Sequence, residues 1–245
     1  QAREGEHAES KLLFNQVLEI DKGNLVASMA AAALAMEQGE LDKAKHYLNS
    51  SIKVYPNAPE LKVSLANILL QEGNKDDALD LAREAANLGV RNPRLNGVLG
   101  NVMLATGALE EALVQFEKSV ANSPESPQAQ FNLARGLLAL DRTVPAKQAL
   151  QKALEVQPDW LQARIALVLV NLRQGLVDQA LVQTGELRAA HPDNLQVMVL
   201  EGEIYFRQKD FIKAADVFNL AVASGAGRSA LLREFQSLQG AGVSD

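Results

Sequence analysis

Residues 93–126 read PRLNGVLGNVMLATGALEEALVQFEKSVANSPES, and the 34 residues that follow, 127–160, read PQAQFNLARGLLALDRTVPAKQALQKALEVQPDW. Laid side by side without a gap, the two stretches place Pro93 over Pro127, Ala112 over Ala146 and Pro124 over Pro158. The register extends in both directions. Ala44, Ala78, Ala112, Ala146, Ala180 and Ala214 are each 34 residues apart, and five positions before them stand Gly39, Gly73, Gly107, Asp141, Gly175 and Lys209. Twelve positions after them come Pro56, Val90, Pro124, Pro158, Pro192 and Ala226. A fixed period of this length signals stacked supersecondary units that share a core with their neighbours.

Each unit reads as two helices and two turns. In 93–126, Leu99, Gly100 and Met103 recur at helical spacing, Gly107 breaks the run, and Ala112, Phe116, Ser119 and Val120 resume it. Ala or Gly at the eighth and twentieth positions lets two backbones approach closely. Pro59, Pro93 and Pro127 sit in the first turn of a helix, where a missing N–H loses nothing. Pro56, Pro124, Pro158 and Pro192 stop the second helix.

This spacing resembles the tetratricopeptide repeat, with its small residue at position eight, Gly or Asp at fifteen, Ala at twenty, a Leu or aromatic at twenty-four and Pro at thirty-two. Position twenty-four reads Leu48, Ala82, Phe116, Leu150, Thr184 and Phe218. Position four departs: the family favours Trp, and here stand Ser28, Lys62, Asn96, Gln130, Arg164 and Met198. The resemblance implies an all-α, right-handed superhelical solenoid of helix-turn-helix units. Six units are expected, at 25–58, 59–92, 93–126, 127–160, 161–194 and 195–228. Residues 1–24, with Ala8, Phe14, Val17 and Leu18 in phase, read as the second helix of a preceding unit. Residues 229–245, with Leu231, Leu232 and Phe235, read as a closing helix and a frayed tail. Beginning at Gln1 inside a repeat, the chain reads as a fragment of a longer array or a processed product.

Composition narrows the function. Apolar residues make up 47% of 245, enough for an extended core, and aromatics only 4%, so Leu, Val and Ala do the packing. Without cysteine there is no disulfide, thiolate metal site or thiol nucleophile, and both periplasm and cytoplasm remain open. The net charge of −6, with no basic stripe, argues against a nucleic-acid partner. No apolar run approaches the roughly 20 residues that span a bilayer: the longest is Met29 to Met36, and Ile165 to Val170 is one helix segment. His7, His46 and His191 are scattered over different units, each without a second ligand at metal spacing. The glycines fall at repeat turns and form no phosphate loop. No nucleophile–base pair stands out, so the chain is expected to be no enzyme and to need no cofactor.

In the resembling family the concave face is lined by first-helix positions two, five, six, nine, twelve and thirteen. Position five reads Met29, Val63, Gly97, Phe131, Ile165 and Val199; position nine reads Ala33, Asn67, Asn101, Arg135, Leu169 and Glu203. Asn67, Asn101 and Arg135, with Arg94 at position two, offer donors and acceptors to a peptide. Phe131, Ile165 and Leu138 are expected to receive its apolar side chains, since an aligned exposed apolar row marks an interaction surface. A solvated polar face with bonds between units is the other reading. Some family members grip an acidic C-terminus through five clamp residues. Asn67 and Asn101 match two of them, but Val63 replaces a Lys and Asn132 stands at the last cationic position, so that clamp is not expected. Trp160, the one tryptophan, is expected to staple the helix that follows it.

The chain is therefore expected to be a protein- or peptide-binding scaffold, working within a larger complex or alone. Two other roles stay open: an assembly part of a bacterial envelope polysaccharide-export or sorting system, and a regulatory domain of a larger enzyme. With no paired His, Cys or phosphate loop, calorimetric titration with zinc, ATP or GTP should show no stoichiometric site tighter than about 1 μM. One such site would overturn the reading.

Overall fold

The computed structural model describes residues 24–227 and, before them, positions 13, 14, 16, 17, 20 and 21. Apart from these positions, the elements expected in 1–24 and 229–245 lie outside the described residues. From Leu25 onward the described residues form α-helices and no strand. They are α1 Leu25–Glu37, α2 Leu41–Val54, α3 Pro59–Gln71, α4 Lys75–Asn87, α5 Pro93–Thr106, α6 Leu109–Asn122, α7 Pro127–Ala139, α8 Thr143–Val156, α9 Leu161–Arg173, α10 Val177–Ala190, α11 Leu195–Arg207 and α12 Phe211–Ala223. The chain divides into two compact units, Gln1–Asp141 and Arg142–Asp245, and the division falls in the turn between α7 and α8. In the first unit each helix packs on its chain neighbours, and α1, α3, α5 and α7 also pack in succession on one another. In the second, α8 to α12 pack consecutively.

Local chemistry sets the helix ends. Asn24, Asn92, Ser126 and Asn194 cap α1, α5, α7 and α11, each side-chain oxygen accepting a backbone N–H of the first turn at 2.9–3.3 Å. Trp160 holds the corresponding place before α9. It is the N-cap residue itself, one position past the site from which a staple acts, so the expected staple gives way to a half-buried indole without a capping bond. The turn inside each helix pair places one residue in the left-handed region: Gly39, Gly73, Gly107, Asp141, Gly175 and Lys209, with φ between 57° and 91°. At the turns of Gly39, Gly73, Gly107, Gly175 and Lys209 the residue that follows returns an N–H to the carbonyl five back, as in Asn74 to Leu69 at 2.8 Å and Ala108 to Met103 at 2.9 Å. Glycine adopts this conformation without cost. Lys209, at φ 63°, brings its Cβ against the backbone.

The cores form where neighbouring pairs meet. In the first unit Ala32, Ala44, Leu48, Leu61 and Ile68 make one cluster, and Ala66, Ala82, Leu99, Met103 and Phe116 make the next. In the second unit Ile165, Val168, Leu187, Leu200 and Ile204 make a third. The fully buried Phe116 ring lies against two glycines. A Cβ on Gly100 would sit 2.4 Å from Phe116 Cε1, and one on Gly136 would sit 2.7 Å from Cδ2. Gly202 meets Phe218 in the same way, at 2.6 Å. Polar groups enter this interior sparingly. Asn171, fully buried, accepts from Lys147 Nζ at 2.8 Å and donates to Gln183 Oε1 at 2.7 Å, whereas the side chain of Asn96 is buried without a hydrogen-bond partner.

Three outcomes follow for stability. Gly100→Ala is expected to cost about 1–3 kcal/mol, because the buried ring between two glycines cannot move aside, and this outweighs the better helix propensity of Ala. Leu99→Ala should cost about 2–5 kcal/mol, with hydrogen exchange loosening centred on residues 59–126. Uniform loss of protection along the whole chain would argue for a single cooperative globule. Lys209→Gly should do the opposite, raising the urea midpoint by an amount worth about 0.5–1 kcal/mol through relief of the left-handed lysine. A lowered midpoint would show that the lysine side chain holds the turn.

Candidate functional site

Positions two, five, nine and twelve of a helix lie on one side of it. Arg135 Nη1 on α7 donates to Asn101 Oδ1 on α5 at 2.8 Å, so two position-nine side chains, 34 residues apart, meet across adjacent first helices. Asn67 on α3 is half-buried, and Arg94 on α5 is exposed, with no ion-pair partner among the described residues. Phe131 and Leu138 on α7 are half-buried. These six expected site residues all lie in the unit Gln1–Asp141.

Ile165 does not behave as expected. It belongs to the second unit and is only 4% exposed, in the core with Val168, Leu172 and Leu200. Val63, also at position five, is 2% exposed. Position five is thus interior at Val63 and Ile165, whereas Val199 at the same position is half-buried. The expected exposed apolar row is corrected to the half-buried pair Phe131 and Leu138.

Gly97 occupies the same position five and leaves that space unfilled. A recess of about 450 Å³ opens there between α5 and α7, lined by Arg94, Gly97, Asn101, Ser123, Gln128 and Asn132 among others, with no carboxylate in its wall. Asn132 is 5% exposed; its Oδ1 accepts from Gln128 Nε2 at 3.0 Å, and among the described residues no acceptor engages its Nδ2. Ser119, at the inner wall, donates its hydroxyl to the Pro93 carbonyl at 2.8 Å. The signal in the sequence was a glycine in a row of Met, Val, Phe, Ile and Val, which reading by residue type alone passes over. A second groove of about 360 Å³ in the other unit includes Leu154, Leu167 and Leu187, with the Arg164–Glu186 ion pair in its wall.

Charges elsewhere serve the scaffold. Arg83 on α4 reaches Glu111 on α6 through two hydrogen bonds of 2.7 and 3.0 Å, which hold the Glu111 carboxyl below the usual carboxylate range. In the second unit burial pushes the Glu201 carboxyl up, and Arg188 at 3.4 Å offsets only part of this. Among the described residues no cluster of His, Cys, Asp and Glu could hold a metal ion, and no helix is long and apolar enough to cross a membrane.

One tetratricopeptide repeat profile matches residues 29–94 and 185–229, and a second, of the same description, matches 103–172. No curated protein sequence matches the chain. Several solved structures share its fold. The APC/C hetero-tetramer Cut9–Hcn1 aligns with a TM-score of 0.72 at 17% identity over 96% of this chain and 47% of its own. PilF of Pseudomonas aeruginosa aligns at 0.67 and 17% over 94% and 98%. YrrB, described as a TPR protein with an unusual peptide-binding site, aligns at 0.61 and 18% over 75% and 95%. The chain therefore spans about half the length of the Cut9–Hcn1 chain, and at these identities the likeness concerns the fold alone.

Proposed function

We propose that this chain, which belongs to the tetratricopeptide repeat family of protein-interaction modules, is a noncatalytic scaffold that holds a protein segment along the first helices α3, α5 and α7. The observation that carries this reading is the Arg135–Asn101 bond, which joins equivalent positions of successive first helices into one continuous surface. Asn67 and Arg94 extend its polar part, and the half-buried Phe131 and Leu138 supply an apolar strip beside it. A peptide laid there meets amide donors and acceptors for its backbone and an apolar floor for alternate side chains. Catalysis finds no support on this surface, since it offers no general base or nucleophile beside the amides and guanidinium groups.

The test uses peptides selected from a displayed random library against the whole chain, with affinities read by fluorescence anisotropy. Arg135→Ala and Phe131→Ala should each weaken binding by about 1–3 kcal/mol where the residue is covered by peptide, and less where it lies on a wet rim. Arg135 is exposed, so its loss should leave the helical circular dichroism unchanged. Binding indifferent to Asn101, Phe131 and Arg135, yet sensitive to Lys118 or Lys152, would move the site to the second helices.

A further inference from the structure

We infer that the recess beside Gly97 recognises an uncharged carboxamide, an Asn or Gln side chain or a main-chain amide of the bound segment, through the paired amides of Gln128 and Asn132. This rests on the reading of the first-helix face as a binding surface and specifies what one part of it accepts. The pair lies one helical turn apart on α7, with Gln128 Nε2 donating to Asn132 Oδ1 at 3.0 Å. That bond uses one N–H of Gln128 and the oxygen of Asn132, and leaves the Asn132 N–H groups, the second Gln128 N–H and the Gln128 oxygen for a ligand. Exchanging oxygen and nitrogen in both side chains reverses the bond but still leaves one free donor group beside one free acceptor. A neighbouring donor and acceptor are complementary to an amide, whose carbonyl accepts and whose N–H donates.

A carboxylate fits less well. It carries acceptors only, so one of its oxygens would face the free amide oxygen of the pair. Arg94 stands in the lining as a cation, but it is exposed, and its guanidinium can donate to an amide carbonyl. Asn101 has its oxygen engaged by Arg135, which leaves its amide as a further donor into the same space.

Two observations mark a site rather than a wetted surface. Asn132 is 5% exposed and its oxygen is held by Gln128, while among the described residues no acceptor engages its Nδ2, which, unlike the amide of Asn96, is not sealed away. Gly97 keeps the space open: a Cβ there would lie 3.2 Å from Asn132 Nδ2 and 3.8 Å from Ser119 Oγ. The volume of about 450 Å³ lies within the range of small-ligand pockets and admits one side chain with its ordered waters.

The probes are acetamide for a side-chain amide, N-methylacetamide for a main-chain amide, and acetate for a carboxylate. Each is titrated into the isotope-labelled whole chain while the side-chain NH2 resonances of Asn132, Gln128 and Asn101 are followed. Acetamide or N-methylacetamide should shift them saturably within about 1–100 mM, and the tighter of the two names the source of the amide. Acetate should bind about tenfold more weakly. Asn132→Asp, which keeps the Gln128 bond and removes the donor, should weaken the preferred amide about tenfold, and Gly97→Ala should weaken it by crowding. Unchanged methyl spectra would show that both variants fold. Acetate binding as tightly as the amides, no saturable shift with either amide, or indifference to Asn132→Asp would each overturn the inference. Selected peptides that still bind Asn132→Asp and still depend on Phe131 and Arg135 would remove this inference and leave the scaffold reading in place.

Discussion

The ring of Phe116 lies between Gly100 of its own helix pair and Gly136 of the next, and the spacing of three helices follows from that contact. With hydrogen atoms at both positions, α5 and α7 each close on α6 until the aromatic edge meets backbone. Buried residues of the same cluster, Leu99, Met103 and Ala112, leave no slack for the ring to turn away. The same approach sets Gly97 of α5 opposite Asn132 of α7 and gives the recess its width. The binding surface is thus a by-product of a packing solution made on the other side of the same helices.

Position four shows what happens when the family's large aromatic is absent. Lys62 reaches Glu84 and Arg164 reaches Glu186, in both cases 22 residues along the chain, while Ser28 pairs with Ser51 and Gln130 donates to the Pro124 carbonyl at 2.9 Å. The two ion pairs have exposed carboxylates and add little free energy. They tie the first helix of a pair to its own second helix, so they select the pairing more than they strengthen it. Asn96, buried without a partner, is the position where this substitution leaves its polar group unanswered.

Much of this fold was legible in advance because its signals are local. The turn glycines, the prolines at α3, α5 and α7 and the left-handed conformation at Asp141 and Lys209 all follow from register, since a turn of fixed geometry recurs every 34 residues. The site was legible only in part. Arg135 and Asn101 were placed on one face by helical geometry alone, and they touch. Ile165 and Gly97 were not, because burial at position five depends on how closely the next pair approaches. That distance is set by side-chain volumes elsewhere, at Phe116 in one unit and among Val168, Leu200 and Ile204 in the other. Periodicity tells which way a residue points and says nothing of what will be standing there.

The Phe116–Gly136 contact also bears on how such an array can change its length over evolutionary time. Unequal recombination adds or removes whole repeats, and a gap-free register makes any such event invisible to the reading of the period. The position held by Gly136 is Leu34, Ile68, Val102, Val170 and Ile204 in the other repeats, and only Gly136 follows a phenylalanine at position twenty-four. Removing 127–160 would bring a valine to the ring in place of glycine, and duplicating 93–126 would bring another valine. Each repeat is therefore written for its neighbour. The array has an order as well as a number, and a lineage that gains or loses a repeat at this point must repair the seam before it can fold as well as its parent.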